Sequence, residues 1–358
     1  MKTVKMKDSN NLLEETEKMK AVNIKGPENL VVEELSIPDI SSQEVLIKMN
    51  VCGICHSDYE LISGQYIIPF EYPITPGHEW AGEIVKVGSG VDEFKVGDRV
   101  TGECVIGCGT CSVCQSGNFS YCPNSDHFGF TLNGGDAEYL VARPEWLHLL
   151  PEQVDDKTGA LIEPFSVGYY AINVHGGIDA GDWTVILGGG PIGLCTLAAA
   201  KGMGSKTILV EPIQFRRDIG EKLGADITID PLSEDVLQKV KDVTNGLGAD
   251  LVVEASGNKE ALKSTFDLAK NNGNISFTGI NIGQEITVEL GKIQIKGLNI
   301  KGTVGSPYVW GRVVSFLQNN PIDLSPIVTH EMQLEDAEKA FKMANTSKDC
   351  IKLHLINK

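Results

Sequence analysis

Residues 183–204, WTVILGGGPIGLCTLAAAKGMG, constrain this chain more than any other stretch. An apolar run stops at three glycines and is followed at once by an Ala- and Leu-rich segment. That order reads as a buried strand, a glycine turn and a helix. Gly188, Gly190 and Gly193 fit G-x-G-x-x-G, and the next strand, TILVEP, ends in Glu211. The glycines let the main chain approach a pyrophosphate at the helix N-terminus, where free N–H groups and the helix dipole favour an anion. Gly188, Gly190, Pro191, Ile192 and Gly193 are therefore candidate contacts to a dinucleotide, with Glu211 placed to accept hydrogen bonds from the adenosine ribose. A carboxylate there repels a 2′-phosphate, so NAD is expected over NADP. Arg216 and Arg217 follow on the next helix. They read either as softening that preference, with Arg216 a cofactor contact, or as solvated helix charges.

Strand and helix keep alternating through ADITIDP, ADLVVEASG, NISFTGI and LNIKGTVG. The middle third of the chain therefore predicts an α/β unit, a doubly wound parallel sheet. Upstream, from Met19, the pattern changes to short alternating strands: KAVNIK, LVVEEL, EVLIKMNVCG, EWAGEIVKVGSG and DRVTGEC. Gly-Pro, Pro-Asp and Gly-Ser-Gly turns separate them, which predicts a β-rich, barrel-like unit. From about Ser306 the chain turns helical in VWGRVVSFLQNN and LEDAEKAFKMA and closes with the strand CIKLHLIN, segments that can complete the first unit. Residues 1–18 read as a polar arm ahead of the fold.

Two clusters carry metal chemistry. Between Val51 and Gly82, one tight segment holds Cys55, His56 and Ser57, and another holds His78 and Glu79. Thiolate, imidazole and carboxylate are the ligands zinc takes when one coordination position stays open for water or substrate. Ser57, two residues after Cys55, brings a hydroxyl within reach of whatever such an ion binds. Further on, Cys108, Cys111, Cys114 and Cys122 follow the spacing Cys-x2-Cys-x2-Cys-x7-Cys. Four thiolates close a tetrahedral site, so this lobe is expected to hold a structural zinc. Cys104 falls outside that repeat and is expected to be a buried apolar thiol. Glu163, in LIEPFSVGYYAI, lies at the start of a helix, where an acid suits the dipole.

Length and charge narrow the function classes. The 358 residues suit two domains. A net charge of −17 argues against nucleic acid or an anionic membrane as partner. No apolar run approaches the roughly 20 residues of a membrane span. The N-terminus lacks the apolar core of a secretory signal, and a cytoplasmic protein is expected.

The segments CGICHSD (52–58), GHEWAGEIVKVGSGVDEFKVGDRV (77–100), the four-cysteine lobe, LIEPFSVG (161–168), GGGPIG (188–193) and EPIQFRR (211–217) together resemble the zinc-dependent medium-chain dehydrogenases. Within them the chain is similar to the sorbitol, threonine and butanediol dehydrogenase branch. The resemblance implies a GroES-like catalytic domain (19–165 and 308–358, with the zinc lobe at 103–123) interrupted by a Rossmann domain (166–307). It implies two zinc ions per chain, one of them catalytic on Cys55, His78 and Glu79. Glu163 stands where the polyol branch has glutamate, and Glu79 and Glu163 are left to bind directly, through water or in alternation. The implied reaction oxidises a secondary alcohol of a polyol, sugar alcohol or cyclitol to a ketone, with hydride passing to NAD and Ser57 relaying the proton. L-threonine or 2,3-butanediol is the alternative substrate. His56 reads as a contact to the cofactor pyrophosphate or as a surface histidine. Ser63–Phe70 and His127–Thr131 are expected to line the substrate pocket. The implied assembly is a homodimer or homotetramer. A zinc-independent reductase would lack both metal clusters, and a non-catalytic zinc protein would not need the dinucleotide motif.

Overall fold

The computed structural model describes residues 18–279, 283–320 and 322–357. Residues 1–17 of the expected arm lie outside them. Six parallel strands run in the order Ile227–Ile229, Lys206–Val210, Trp183–Leu187, Ala249–Glu254, Ala269–Phe277 and Asn299–Gly302. Residues 185–187 and 251–253 are almost wholly buried, as strands covered on both faces must be. Chain order reverses between Trp183–Leu187 and Ala249–Glu254, which is where open α/β sheets present a ligand crevice.

The glycine turn sits at that reversal. Gly188 has φ +107°, and a Cβ there would fall 2.9 Å from the Ser256 side chain. A Cβ on Gly193 would lie 1.9 Å from the Gly188 carbonyl oxygen, so turn and helix close on each other only without a side chain. The helix Pro191–Gly202 begins with proline, whose missing N–H costs nothing in the first turn.

The second sheet runs Val328–Gln333, Lys352–Ile356, Val45–Gly53, Glu79–Val87, Arg99–Gly102 and Leu147–Leu149, with Tyr139–Ala142 also paired to Val45–Gly53. Its first pair is parallel and the other pairs are antiparallel. A hairpin, Lys18–Gly26 with Asn29–Ser36, lies beside it. The closing strand therefore joins the sheet of the N-terminal third.

One hydrophobic cluster joins the two sheets. Val51 and Ala81 of the antiparallel sheet share it with Ile186 and Leu251 of the parallel sheet. The helices Ile162–Tyr170, Pro191–Gly202 and Trp310–Asn319 fill the space between, supplying Phe165, Leu197 and Val313. Among the described residues no helix is long and apolar enough to cross a membrane.

Candidate active site

Strand register assembles the first metal cluster. Gly53 pairs with Glu79 on one side and His354 on the other, so the ends of three strands meet at one place. Cys55 follows immediately and caps the helix His56–Ser63, its N–H donating to Asp58 Oδ2 at 2.8 Å. Ligand atoms of Cys55, His78 and Glu79 all lie within 4.8 Å of one another. Glu163, in the first turn of Ile162–Tyr170, stands outside that trio but close enough to act electrostatically on His78.

The donors fit a cation. Asp58, Glu79, Glu163 and Cys55 surround one imidazole. Burial opposes a charge on His78, and Cys55, Asp58 and Glu163 outweigh it, so its pKa stands well above the ordinary value. Burial pushes Glu163 up to about 7, against the pull of His78. His78 Nδ1 is buried without a hydrogen-bond partner among the described residues, 3.6 Å from Asp58 Oδ1. A buried imidazole backed by a carboxylate is how metal-binding histidines are oriented.

Two residues here escaped the sequence reading. Lys352, 2 % exposed, donates to Glu79 Oε1 at 2.7 Å and to the Ile54 carbonyl at 2.9 Å, and its Nζ lies 2.6 Å from Glu79 Oε2. Burial opposes the Lys352 charge and Glu79 more than restores it, leaving its pKa raised. A lysine inside the apolar closing strand IKLHLI was the available signal. The second is Asp136, fully buried beside the Cys52 thiol, whose acid burial and the nearby Asp58 push up to about 7. Its neighbours include Gly77, which has φ +98° and where a Cβ would meet Asp136 Cγ at 2.8 Å and Cys52 Sγ at 2.7 Å.

The expected pocket segments do come together. Tyr66 stacks on Phe130 at 4.6 Å, and Phe130 lies 5.3 Å from the His78 ring. His127 is buried, which lowers its pKa to about 4, and its Nε2 hydrogen-bonds with Ser125 at 3.0 Å. Ser57 is half-buried in the first turn of its helix and His56 is exposed.

In the lobe, the sulfurs of Cys108, Cys111, Cys114 and Cys122 also lie within 4.8 Å of one another. Cys111 to Cys122 is 3.8 Å and Cys108 to Cys114 is 4.0 Å. A tetrahedron of sulfurs about 2.3 Å from zinc has edges of about 3.8 Å, so the spacing fits that ion. Backbone N–H groups of Cys108, Cys114 and Asn124 point at the sulfurs, as thiolates require. Thr110 pulls the Cys108 thiol down to about 6. Cys104 departs from expectation: it is half-buried and borders a small cavity with Glu163.

At the dinucleotide motif, a Cβ on Gly190 would meet nothing within 4 Å, which leaves the cradle a pyrophosphate needs. Glu211 is 3 % exposed and accepts from the Gly189 N–H at 2.6 Å and the Ile213 N–H at 2.9 Å. Arg217 is not a solvated helix charge. It is buried, donating to the Glu211 carbonyl at 2.6 Å and lying 3.6 Å from Asp230. Arg216 is half-buried beside the turn, and its Nε has no partner among the described residues.

Comparison with known proteins agrees with this architecture. Residues 41–152 match the alcohol dehydrogenase GroES-like domain, and residues 191–319 match the zinc-binding dehydrogenase domain. The chain is 34% identical over 342 residues to the sorbitol dehydrogenase of Bacillus subtilis (strain 168), covering 94% of this chain and 96% of that protein. It is 34% identical over 322 residues to the L-threonine 3-dehydrogenase of Pyrococcus horikoshii, covering 88% of this chain and 92% of that one. A Sinorhizobium meliloti 1021 protein assigned as a zinc-binding dehydrogenase, solved bound to NADP, superposes with a TM-score of 0.90 at 30% identity, covering 96% of this chain and 100% of its own.

Proposed function

Because this chain belongs to the zinc-dependent medium-chain dehydrogenases, we propose that it oxidises a secondary alcohol of a polyol, sugar alcohol or cyclitol to the ketone, reversibly, with NAD as hydride acceptor. The observation that carries this reading is the Cys55–His78–Glu79 cluster at the ends of three strands, with a second carboxylate, Glu163, beside it. Zinc held there would supply Lewis acidity toward the substrate oxygen.

The chain's own residues do the rest. Cys55, His78 and Glu79 would hold the ion, with Glu163 as a carboxylate available to it directly or through water. Asp58 orients His78, and Lys352 holds the Glu79 carboxylate in place. Ser57 takes the hydroxyl proton outward as a relay. Tyr66 and Phe130 form an aromatic wall against which a carbon skeleton lies, keeping water from the reacting carbon. Gly188, Gly190, Pro191, Ile192 and Gly193 cradle the pyrophosphate, and His56 and Arg216 offer cationic or hydrogen-bonding contacts near it. Glu211 takes the ribose hydroxyls and disfavours a 2′-phosphate, which supports NAD over NADP. Cys108, Cys111, Cys114 and Cys122 would hold a second, structural zinc.

The likeness to an L-threonine 3-dehydrogenase favours threonine as the second reading. We read the protein as cytoplasmic and as a homodimer or homotetramer, with the singly paired strand Asn299–Gly302 as one available face. Sedimentation measures that state.

The deciding experiment assays polyols, cyclitols, vicinal diols and threonine with NAD⁺ and NADP⁺, following nicotinamide absorbance, beside the Cys55→Ala variant. Polyol or cyclitol turnover with NAD⁺, lost in Cys55→Ala while NAD binding persists, is expected. Turnover of threonine alone selects the second reading, and faster NADP⁺ reduction overturns the cofactor assignment.

A further inference from the structure

Glu163 borders a small cavity of about 10 Å³ whose other walls come from three separate parts of the chain. Glu103 and Cys104 precede the first of the four cysteines, Ser120 lies between the third and the fourth, and Ser306 and Trp310 follow the parallel sheet. A space of that size is about what one water molecule needs. Ser120 is only 8% exposed, and its Oγ has no hydrogen-bond partner among the described residues. Opposite it stands Gly305, with φ +63°, where a Cβ would come within 2.8 Å of that hydroxyl. Any side chain there would fill the room the hydroxyl faces. None of the described residues donates a hydrogen bond to the Glu163 carboxylate. Ser120, whose buried hydroxyl is unpartnered among the described residues, and Glu163 line the same water-sized space, where one bridging water would satisfy both side chains.

The main chain of Glu163 is fixed by a different set of contacts. Ser166 Oγ donates to the Glu163 carbonyl at 2.6 Å and accepts from Ser306 Oγ at 2.5 Å. Trp310 Nε1 donates to Ser306 Oγ at 3.1 Å. The main chain of Glu163 is thus tied through Ser166 and Ser306 to the helix Trp310–Asn319.

We propose that one water molecule binds in this cavity between Ser120 and Glu163, and that Ser120 is thereby a positioning residue for the Glu163 carboxylate. The inference rests on the reading of Glu163 as part of the zinc site. Its consequence is that the lobe does more than staple the chain. The turn Phe119–Tyr121, adjoining the ligand Cys122, presents Ser120 to the cavity, so a closed four-sulfur site keeps one carboxylate of the other metal site in place.

The test uses full-length, zinc-loaded protein and follows release of each zinc to a chromophoric chelator. In Ser120→Ala one of the two ions is expected to leave roughly tenfold faster while the other leaves at the wild-type rate, the usual size of an outer-contact effect on metal affinity. A fall in kcat with KM for the alcohol little changed accompanies it. Glu163→Gln is expected to accelerate release of the same ion. If Glu163→Gln accelerates release and Ser120→Ala does not, the water bridge is overturned and the reading of the metal site survives. If neither changes release, that reading fails and takes the inference with it. Should Ser120→Ala lose both ions through a collapsed lobe, a high-resolution crystal structure of the wild type decides. Water within hydrogen-bond distance of Ser120 Oγ and the Glu163 carboxylate supports the proposal, and its absence overturns it.

Discussion

Lys352 and Glu79 form an ion pair that is almost completely out of solvent, at 2 % and 1 % exposure. A pair of this kind contributes little net stability when intact, yet removing one partner strands a buried charge. Gly53 makes the space for it, since a Cβ there would meet Glu79 Oε2 at 2.6 Å. In protein freed of zinc, where no ion compensates Glu79, Lys352→Met is expected to cost about 3–5 kcal/mol in urea unfolding, and adding Glu79→Gln to recover most of that loss. Asp136 presents the opposite situation, a buried acid for which loss of solvent outweighs the pull of the nearby His78. Its folded pKa of about 7 stands above the 3.8 of an ordinary aspartate. Its contribution to stability is therefore full below pH 3.8 and is lost as pH rises through 7. Asp136→Asn should raise Tm by a few degrees at pH 8 and change it little at pH 4, as differential scanning calorimetry at both pH values will show.

At the scale of elements, two local structures carry most of the specification. In the glycine turn, Gly193 touches the backbone of Gly188, and a backbone clash cannot be relieved by rotating a side chain. Gly193→Ala should push the helix Pro191–Gly202 off the turn and misplace the cofactor, lowering kcat/KM for NAD on the order of 100-fold in steady-state kinetics. The lobe behaves differently. Its helix Ser112–Gln115 and turn Phe119–Tyr121 bury little apolar surface of their own, so its fold is expected to depend on an ion held by the four sulfurs. Cys111→Ala should leave one zinc per chain by elemental analysis and lower thermal stability before it alters turnover. Both elements are legible in sequence because their determinants lie within a few residues of one another. Lys352, Asp136 and Ser120 are not, because each acquires its meaning from a partner far along the chain.

Across the whole molecule, each sheet has a core of its own, and a further hydrophobic cluster is shared between the two. Unfolding one sheet exposes the apolar face of the other, which predicts a single cooperative transition in calorimetry. NAD at 100 times its Kd should shift that transition as a unit, adding about 2.7 kcal/mol. Two separated peaks would show that the cluster does not couple the sheets. The sequence by itself determined the parallel sheet with its dinucleotide turn, the four-sulfur lobe and the residue types of the catalytic cluster, because spacing along the chain dictates periodicity, turn geometry and ligand chemistry. Only the tertiary structure decided that Glu79 is clamped by a lysine 273 residues away, that Arg217 is buried under Glu211, and that Glu163 shares a cavity with the zinc lobe. Those facts depend on strand register and on packing between distant segments, and short-range pattern holds no record of either.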